Sequence, residues 1–163
     1  MKVLLAGGSG IVGTLVIPFL KKNHNLRVFD RHAPADSSIE FQQGDITDPQ
    51  ALETAAKAMD AFIYLAMGNL EWEEWSGIDS AYDVNIKGLH FLFRTAAKQG
   101  ITQAVYCSSM SVYSDLRSRY FPDEEIPPDE TELYGFTKWM GDQVCRNAWR
   151  RWGFHVNALR LCH

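Results

Sequence analysis

The chain has 163 residues, 46% of them hydrophobic and 22% charged, with a mean hydropathy of −0.21, which suits one globular domain and argues against disorder. A formal net charge of −4 and an isoelectric point near 5.7 give no broad basic field, so nucleic acid is not an expected partner. No apolar run approaches membrane-spanning length, which excludes a membrane partner, and no charged-then-apolar leader precedes residue 2.

In chain order, Lys2-Val3-Leu4-Leu5-Ala6 reads as a buried strand (2–6) running into Gly7-Gly8-Ser9-Gly10-Ile11-Val12-Gly13 and an apolar-periodic helix (11–22). This is the context a dinucleotide-binding turn requires. Glycines permit the tight turn and a close backbone approach, and the unpaired N–H groups at the helix start receive a pyrophosphate. Gly7, Gly10, Ile11, Val12 and Gly13 are therefore candidate cofactor contacts. Thr14 stands where a phosphate-binding P-loop needs lysine, so an NTPase reading is poor.

A second strand (26–29) ends at Asp30, seventeen residues after Gly13, where a carboxylate can accept both hydroxyls of an adenine ribose. A strand-end turn role is the competing reading. Arg31 could instead pair with a 2′-phosphate, so the expected cofactor is NAD with NADP as the alternative. The polar stretch from Arg31 to Ser38 is too short for a full helix. Strand 39–42, helix 49–58, strand 61–65, helix 79–99, strand 103–107, helix 132–152 and strand 155–160 follow. Alternating strands and helices predict an α/β doubly wound parallel sheet, a Rossmann fold of strand order 3-2-1-4-5-6.

The fifth strand ends in Ser108-Ser109-Met110-Ser111, and ligands of such sheets bind at the carboxyl ends of their strands. Each serine taken alone is more often a turn or helix cap. In the last helix, Tyr134 and Lys138 are four residues apart and so share a face. The lysine ammonium can favour the ionised phenol, which makes Tyr134 a candidate base. An isolated Tyr-x-x-x-Lys is most often an ordinary helix pair. The glycine turn and the serine-ended strand give this one a different meaning.

Together these residues resemble the extended short-chain dehydrogenase/reductase superfamily, the NAD-dependent epimerase/dehydratase group, over essentially the whole chain. The resemblance places Ser109, Tyr134 and Lys138 at the family's catalytic positions. It places Asn85, in Val84-Asn85-Ile86-Lys87-Gly88, in the helix element that supports the active site. It further implies that Asp45 and Ile46 flank the adenine, that Leu65, Ala66 and Met67 lie beneath the nicotinamide ribose, and that Tyr134 and Lys138 also touch the cofactor. The implied activity is NAD(P)-dependent hydride transfer on a sugar or nucleotide sugar, as oxidoreductase, epimerase or dehydratase. The family's dimer surfaces correspond to helices 79–99 and 132–152, so a homodimer is a further implication; Phe91, Leu92, Trp139 and Trp149 either contribute apolar surface to it or simply face the sheet. Two departures are Ser114, where glycine is common, and Leu161-Cys162-His163, where proline often follows Leu-Arg.

Full members of this family need about twice this length. The expectation is one dinucleotide-binding domain over residues 1–163 that carries Ser109, Tyr134 and Lys138, with the substrate subdomain absent. A non-catalytic dinucleotide-binding sensor is the alternative function; a serine hydrolase lacks the Gly-x-Ser-x-Gly elbow. The irregular stretch Ser114–Thr131 is either a substrate-side wall or a solvated connection, and the segment Asn69–Gly77, with Trp72 and Trp75, is the other candidate wall, though such tryptophans more often cover a domain interface. Three cysteines and five histidines without ligand spacing predict no metal and a reducing cytoplasmic setting.

Overall fold

The computed structural model describes residues 1–69, 71, 73–115, 124 and 126–162. Six parallel strands form one sheet: β1 (Lys2–Ala6), β2 (Asn25–Asp30), β3 (Glu40–Gln43), β4 (Ala61–Tyr64), β5 (Gln103–Ser109) and β6 (His155–Leu161). Their order is β3-β2-β1-β4-β5-β6, the predicted one, with every pairing parallel.

Successive side chains of a strand point to opposite faces, and β1 shows what this builds. Leu4 and Ala6 enter a large core with Phe62, Tyr64 and Tyr106 beneath α2 (Pro49–Ala55), α4 (Leu89–Lys98) and α5 (Leu133–Trp152). Val3 and Leu5 enter a smaller core on the other face with Ile17 of α1 (Ile11–Leu20), Leu26 and Val28. Residues 31–38 cross from β2 to β3 without a helix, as expected from their shortness and polarity. The outer edge is different: on β6, Leu159 and Leu161 are 50% and 40% exposed. A groove of about 1000 Å³ runs along this edge past Val105, Cys145 and Trp149, and its lining includes neither the glycine turn nor Tyr134.

The predicted helix 79–99 is three elements. α3 (Trp75–Tyr82) begins earlier, a π-helical turn spans Asp83–Gly88, and α4 completes it. A β5 longer than predicted also matters. Pairing with β6 carries it through Ser108↔Arg160 and Ser109↔Leu161, so the serines belong to the strand, and a 3₁₀ turn follows at Met110–Val112. α1 stops two residues short of the predicted Lys22 and contains Pro18, which has no N–H to return to the preceding turn. Among the described residues, no helix is long and apolar enough to cross a membrane, and no cluster of three or more His, Cys, Asp or Glu could hold a metal.

Candidate active site

The parallel register brings the carboxyl ends of β1, β2, β4 and β5 to one edge of the sheet. At the end of β1, Gly7 takes φ +83°, the left-handed region that disfavours a side chain, and donates its N–H to Phe29 O at 2.9 Å. A Cβ on Gly7 would fall 2.4 Å from Ala66 N, so the turn packs directly on the segment after β4. At Gly13 a Cβ would meet Gly8 O at 2.0 Å, which is how the helix start comes so close to the strand end. Gly10 caps α1, and Thr14 makes the first bond back to it, at 3.0 Å. The N–H groups of Ile11, Val12 and Gly13 precede that bond and lie outside the helix ladder. Ile11 is 81% exposed, at the open end of the helix.

Asp30 ends β2 beside this turn. One of its oxygens accepts the Ser9 N–H at 3.0 Å and the other the His32 N–H at 3.2 Å. Each carboxylate oxygen keeps a further lone pair, so acceptor capacity remains beside the turn. Asp45 accepts both the N–H and the hydroxyl of Thr47; these bonds hold its pKa below the usual value, with a smaller pull from the Arg31 guanidinium. Ile46 is buried next to them. After β4, the Leu65 N–H donates to Ala6 O at 2.7 Å, while Ala66 is half-buried and Met67 exposed.

The serine turn and the start of α5 face each other. The Ser109 hydroxyl accepts the Ser111 N–H at 3.0 Å and lies near enough to the phenol of Tyr134 to act on its ionisation. Burial raises the Tyr134 pKa, the Ser109 hydroxyl opposes that rise, and Cys107 adds to it. Lys138 is buried and donates to Cys107 O at 2.8 Å, with its ammonium 5.8 Å from the centre of the Tyr134 ring and 5.4 Å from that of Tyr106. Burial lowers the Lys138 pKa, against opposing pulls from Cys107 and Asp142. The predicted pair is thus side by side, but in this state the phenol is shifted towards protonation. Lys138 faces a carbonyl rather than the phenolic oxygen, and desolvation of the ring decides the sign.

Asn85 lies in the π turn and is 3% exposed. Its carbonyl oxygen accepts the Gly68 N–H at 3.0 Å, and its amide donates to the Thr137 hydroxyl at 2.9 Å. Thr137 in turn donates to Tyr134 O at 3.0 Å. A π turn displaces one residue from the helical ladder, a feature frequent at functional sites. Here it lets one amide bridge the segment after β4 and the first turn of α5.

The structure brings Gly7 against Ala66, Asn85 against Gly68 and Thr137, and Lys138 against Cys107. Thr137 was not singled out from sequence, although its place three residues after Tyr134 is the signal that could have found it. Of the two candidate walls, Trp72 and residues 116–123 lie outside the described residues, and Trp75 is 81% exposed at the start of α3. Of the two readings for Leu92, a dimer surface or the sheet, the second holds: it is fully buried in the core because that side of α4 faces the sheet.

A family model described as "NAD dependent epimerase/dehydratase family" matches residues 3–163. The N-acetyl-alpha-D-glucosaminyl-diphospho-ditrans,octacis-undecaprenol 4-epimerase of Escherichia coli O157:H7 is 30% identical over 149 residues, 91% of this chain and 44% of that protein. A 3 beta-hydroxysteroid dehydrogenase/Delta 5-->4-isomerase of Mycobacterium tuberculosis is 32% identical over 154 residues, 87% of this chain and 41% of that protein. Among solved structures, a short-chain dehydrogenase/reductase superfamily protein from Agrobacterium tumefaciens with bound NAD superposes with a TM-score of 0.87 at 28% identity, covering 98% of this chain and 48% of that one. The chain spans less than half the length of these relatives. With the glycine turn, the strand order and nearly every residue matched, the chain belongs to the NAD-dependent epimerase/dehydratase family.

Proposed function

We propose that the chain carries the cofactor-binding and proton-transfer machinery of an oxidoreductase or epimerase acting on a sugar or nucleotide sugar. The observation that carries this reading is the packing of the first turn of α5 on the serine turn, where a Cβ on Gly135 would fall 1.9 Å from Ser111 O, which sets the Tyr134 phenol beside Ser109 with Lys138 one turn further on. NAD is the cofactor of this family. The residues present fit it: the turn has no room for side chains at Gly7 or Gly13, donors stand free at the start of α1, and Asp30 retains acceptor capacity beside them. Ile11, Val12 and Gly13 would hold the pyrophosphate, Asp30 the adenine ribose, and Asp45 and Ile46 the adenine edge.

When bound, NAD supplies the hydride acceptor for the carbon that bears the reacting hydroxyl. Tyr134 takes the proton of that hydroxyl at its phenolic oxygen and returns it in the reverse step. Ser109 donates to the same substrate oxygen and keeps it within reach of the phenol. Lys138, fixed on Cys107 O in the present state, would favour the phenolate by turning its ammonium towards the phenolic oxygen once cofactor and substrate are bound. Asn85 and Thr137 fix the first turn of α5, which fixes Tyr134.

The test is to supply NAD with a panel of uronates and nucleotide sugars, follow NADH formation, and analyse the products for inverted hydroxyls. Turnover of any member supports the reading. NAD binding with no turnover across the panel would support a sensor instead. A homodimer packed through α4 and α5 belongs to the same proposal, supported by Trp149, 60% exposed on α5; a monomer in sedimentation would remove it. A reducing, cytoplasmic setting is supported by the unpaired state of Cys107, Cys145 and Cys162, and locating the protein in fractionated cells checks it.

A further inference from the structure

The joint between the serine turn and α5 has a third participant. Arg160, near the end of β6, pairs in register with Ser108. Its guanidinium donates through Nε and Nη2 to one oxygen of Asp142, at 3.2 and 3.0 Å, and through Nη1 to the hydroxyl of Tyr113. Asp142 lies one turn beyond Lys138 on α5. Tyr113 closes the 3₁₀ turn after Ser109, with its N–H on Met110 O at 3.1 Å. One side chain therefore joins the elements that carry Ser109, Tyr134 and Lys138.

The arrangement is an expensive way to gain stability. The side chains of Arg160 and Asp142 are only 16% and 6% exposed, and one carboxylate oxygen of Asp142 is buried with no hydrogen-bond partner. Desolvating such a pair can cancel its attraction, and an apolar pair of similar volume often packs as well or better. An apolar pair would not provide a forked donor reaching two segments at fixed angles. Other contacts meet at the same joint: Val112 O accepts the N–H groups of Asp129 and Glu130, each at 3.1 Å, where the chain returns to α5. Losing the clamp should therefore shift the turn rather than release it.

We propose that Arg160, braced by Asp142, is a positioning residue that acts through Tyr113 to hold the serine turn at the separation where Ser109 meets Tyr134. The inference rests on the proposed roles of Ser109 and Tyr134, but its main readout needs no substrate. With tyrosine labelled at 13Cζ, the Tyr134 resonance is assigned by its loss in Tyr134→Phe, then followed at neutral pH and through its titration. The Ser109 hydroxyl beside it holds the phenol pKa down, so Ser109→Ala should raise the midpoint and move the neutral-pH resonance. Tyr113→Phe, which removes only the clamp's hydroxyl, should move both in the same direction. In the Ser109→Ala/Tyr113→Phe double variant there should be no further movement beyond Ser109→Ala, because both act through the approach of Ser109 to the phenol. Asp142→Leu/Arg160→Met, which leaves no orphaned charge, should reproduce the Tyr113→Phe shift. In turnover, Tyr113→Phe should lower kcat by about tenfold and leave the NAD Kd within about twofold. A folded Tyr113→Phe protein with an unmoved Tyr134 resonance, or shifts that add in the double variant, would overturn the inference. The predicted shifts without turnover of any sugar would sink the proposed function and leave the clamp standing.

Discussion

Gly135 lies directly against Ser111: a Cβ added to the glycine would fall 1.9 Å from the serine carbonyl oxygen. The first turn of α5 and the serine turn are therefore in backbone contact, and the residue before Gly135 is Tyr134. Gly135→Ala should force the two apart, with an overpacking cost of about 1–3 kcal/mol in denaturant unfolding. Because the strain falls between Ser109 and Tyr134, kcat should drop further than NAD affinity. Unchanged stability would show that the joint is looser than this contact implies.

Asp30 should govern dinucleotide choice. A hydrogen bond to a charged group contributes about 1.5–3 kcal/mol, so Asp30→Ala should weaken NAD binding roughly tenfold or more in a calorimetric titration. It should also narrow the preference for NAD over NADP, since the carboxylate that repels a 2′-phosphate is gone and Arg31 remains. Equal loss of both cofactors would assign Asp30 to holding the Ser9 N–H rather than to reading the ribose.

The pH dependence follows from the sign of the Tyr134 shift. Burial raises this phenol above its usual value of 10.0, so at neutral pH only a small fraction is phenolate, and that fraction grows about tenfold per pH unit. Alcohol oxidation needs the phenolate and should rise steadily from pH 7 towards pH 9, whereas carbonyl reduction needs the phenol and should stay nearly flat over that range. On the alkaline side, oxidation should fall away as Lys138, whose pKa burial depresses, loses its charge. Initial rates in both directions check this, and an oxidation rate that is level or falling across the range would contradict it.

Asn85→Ala strips the Gly68 N–H of its acceptor and the Thr137 hydroxyl of its donor. Leaving buried polar groups unpaired costs about 1–3 kcal/mol, which should appear as a lower unfolding midpoint. Because Thr137 is bonded to Tyr134 O, turnover should fall as well. A variant as stable as the parent would show that the bridge is dispensable.

What the sequence made legible was whatever depends on residue type at a fixed spacing. Alternating apolar strands and periodic helices are enough for the sheet order, and glycine spacing after β1 locates the turn because only glycine tolerates Gly7's φ and the close approach at Gly13. The Tyr134–Lys138 spacing likewise put both on one helix face. The π turn at Asp83–Gly88 was not legible, because a single π turn inside a helix has no residue pattern of its own and the contacts made by Asn85 there are tertiary. The direction of the Tyr134 shift was also hidden. Charge pairing can be guessed from spacing, but desolvation depends on what covers the ring, and here it dominates. The clamp from Arg160 to Asp142 and Tyr113 joins residues 18 and 47 positions apart, which no local pattern records.

The central claim is that the Tyr134 phenol moves the proton in the reaction, and Tyr134→Phe tests it most directly. In the purified protein, with a substrate it oxidises, the variant should bind NAD with a Kd within about twofold of the parent and lose roughly 10²- to 10⁴-fold in kcat. A Tyr134→Phe protein that turns substrate over at the parental rate would contradict the account.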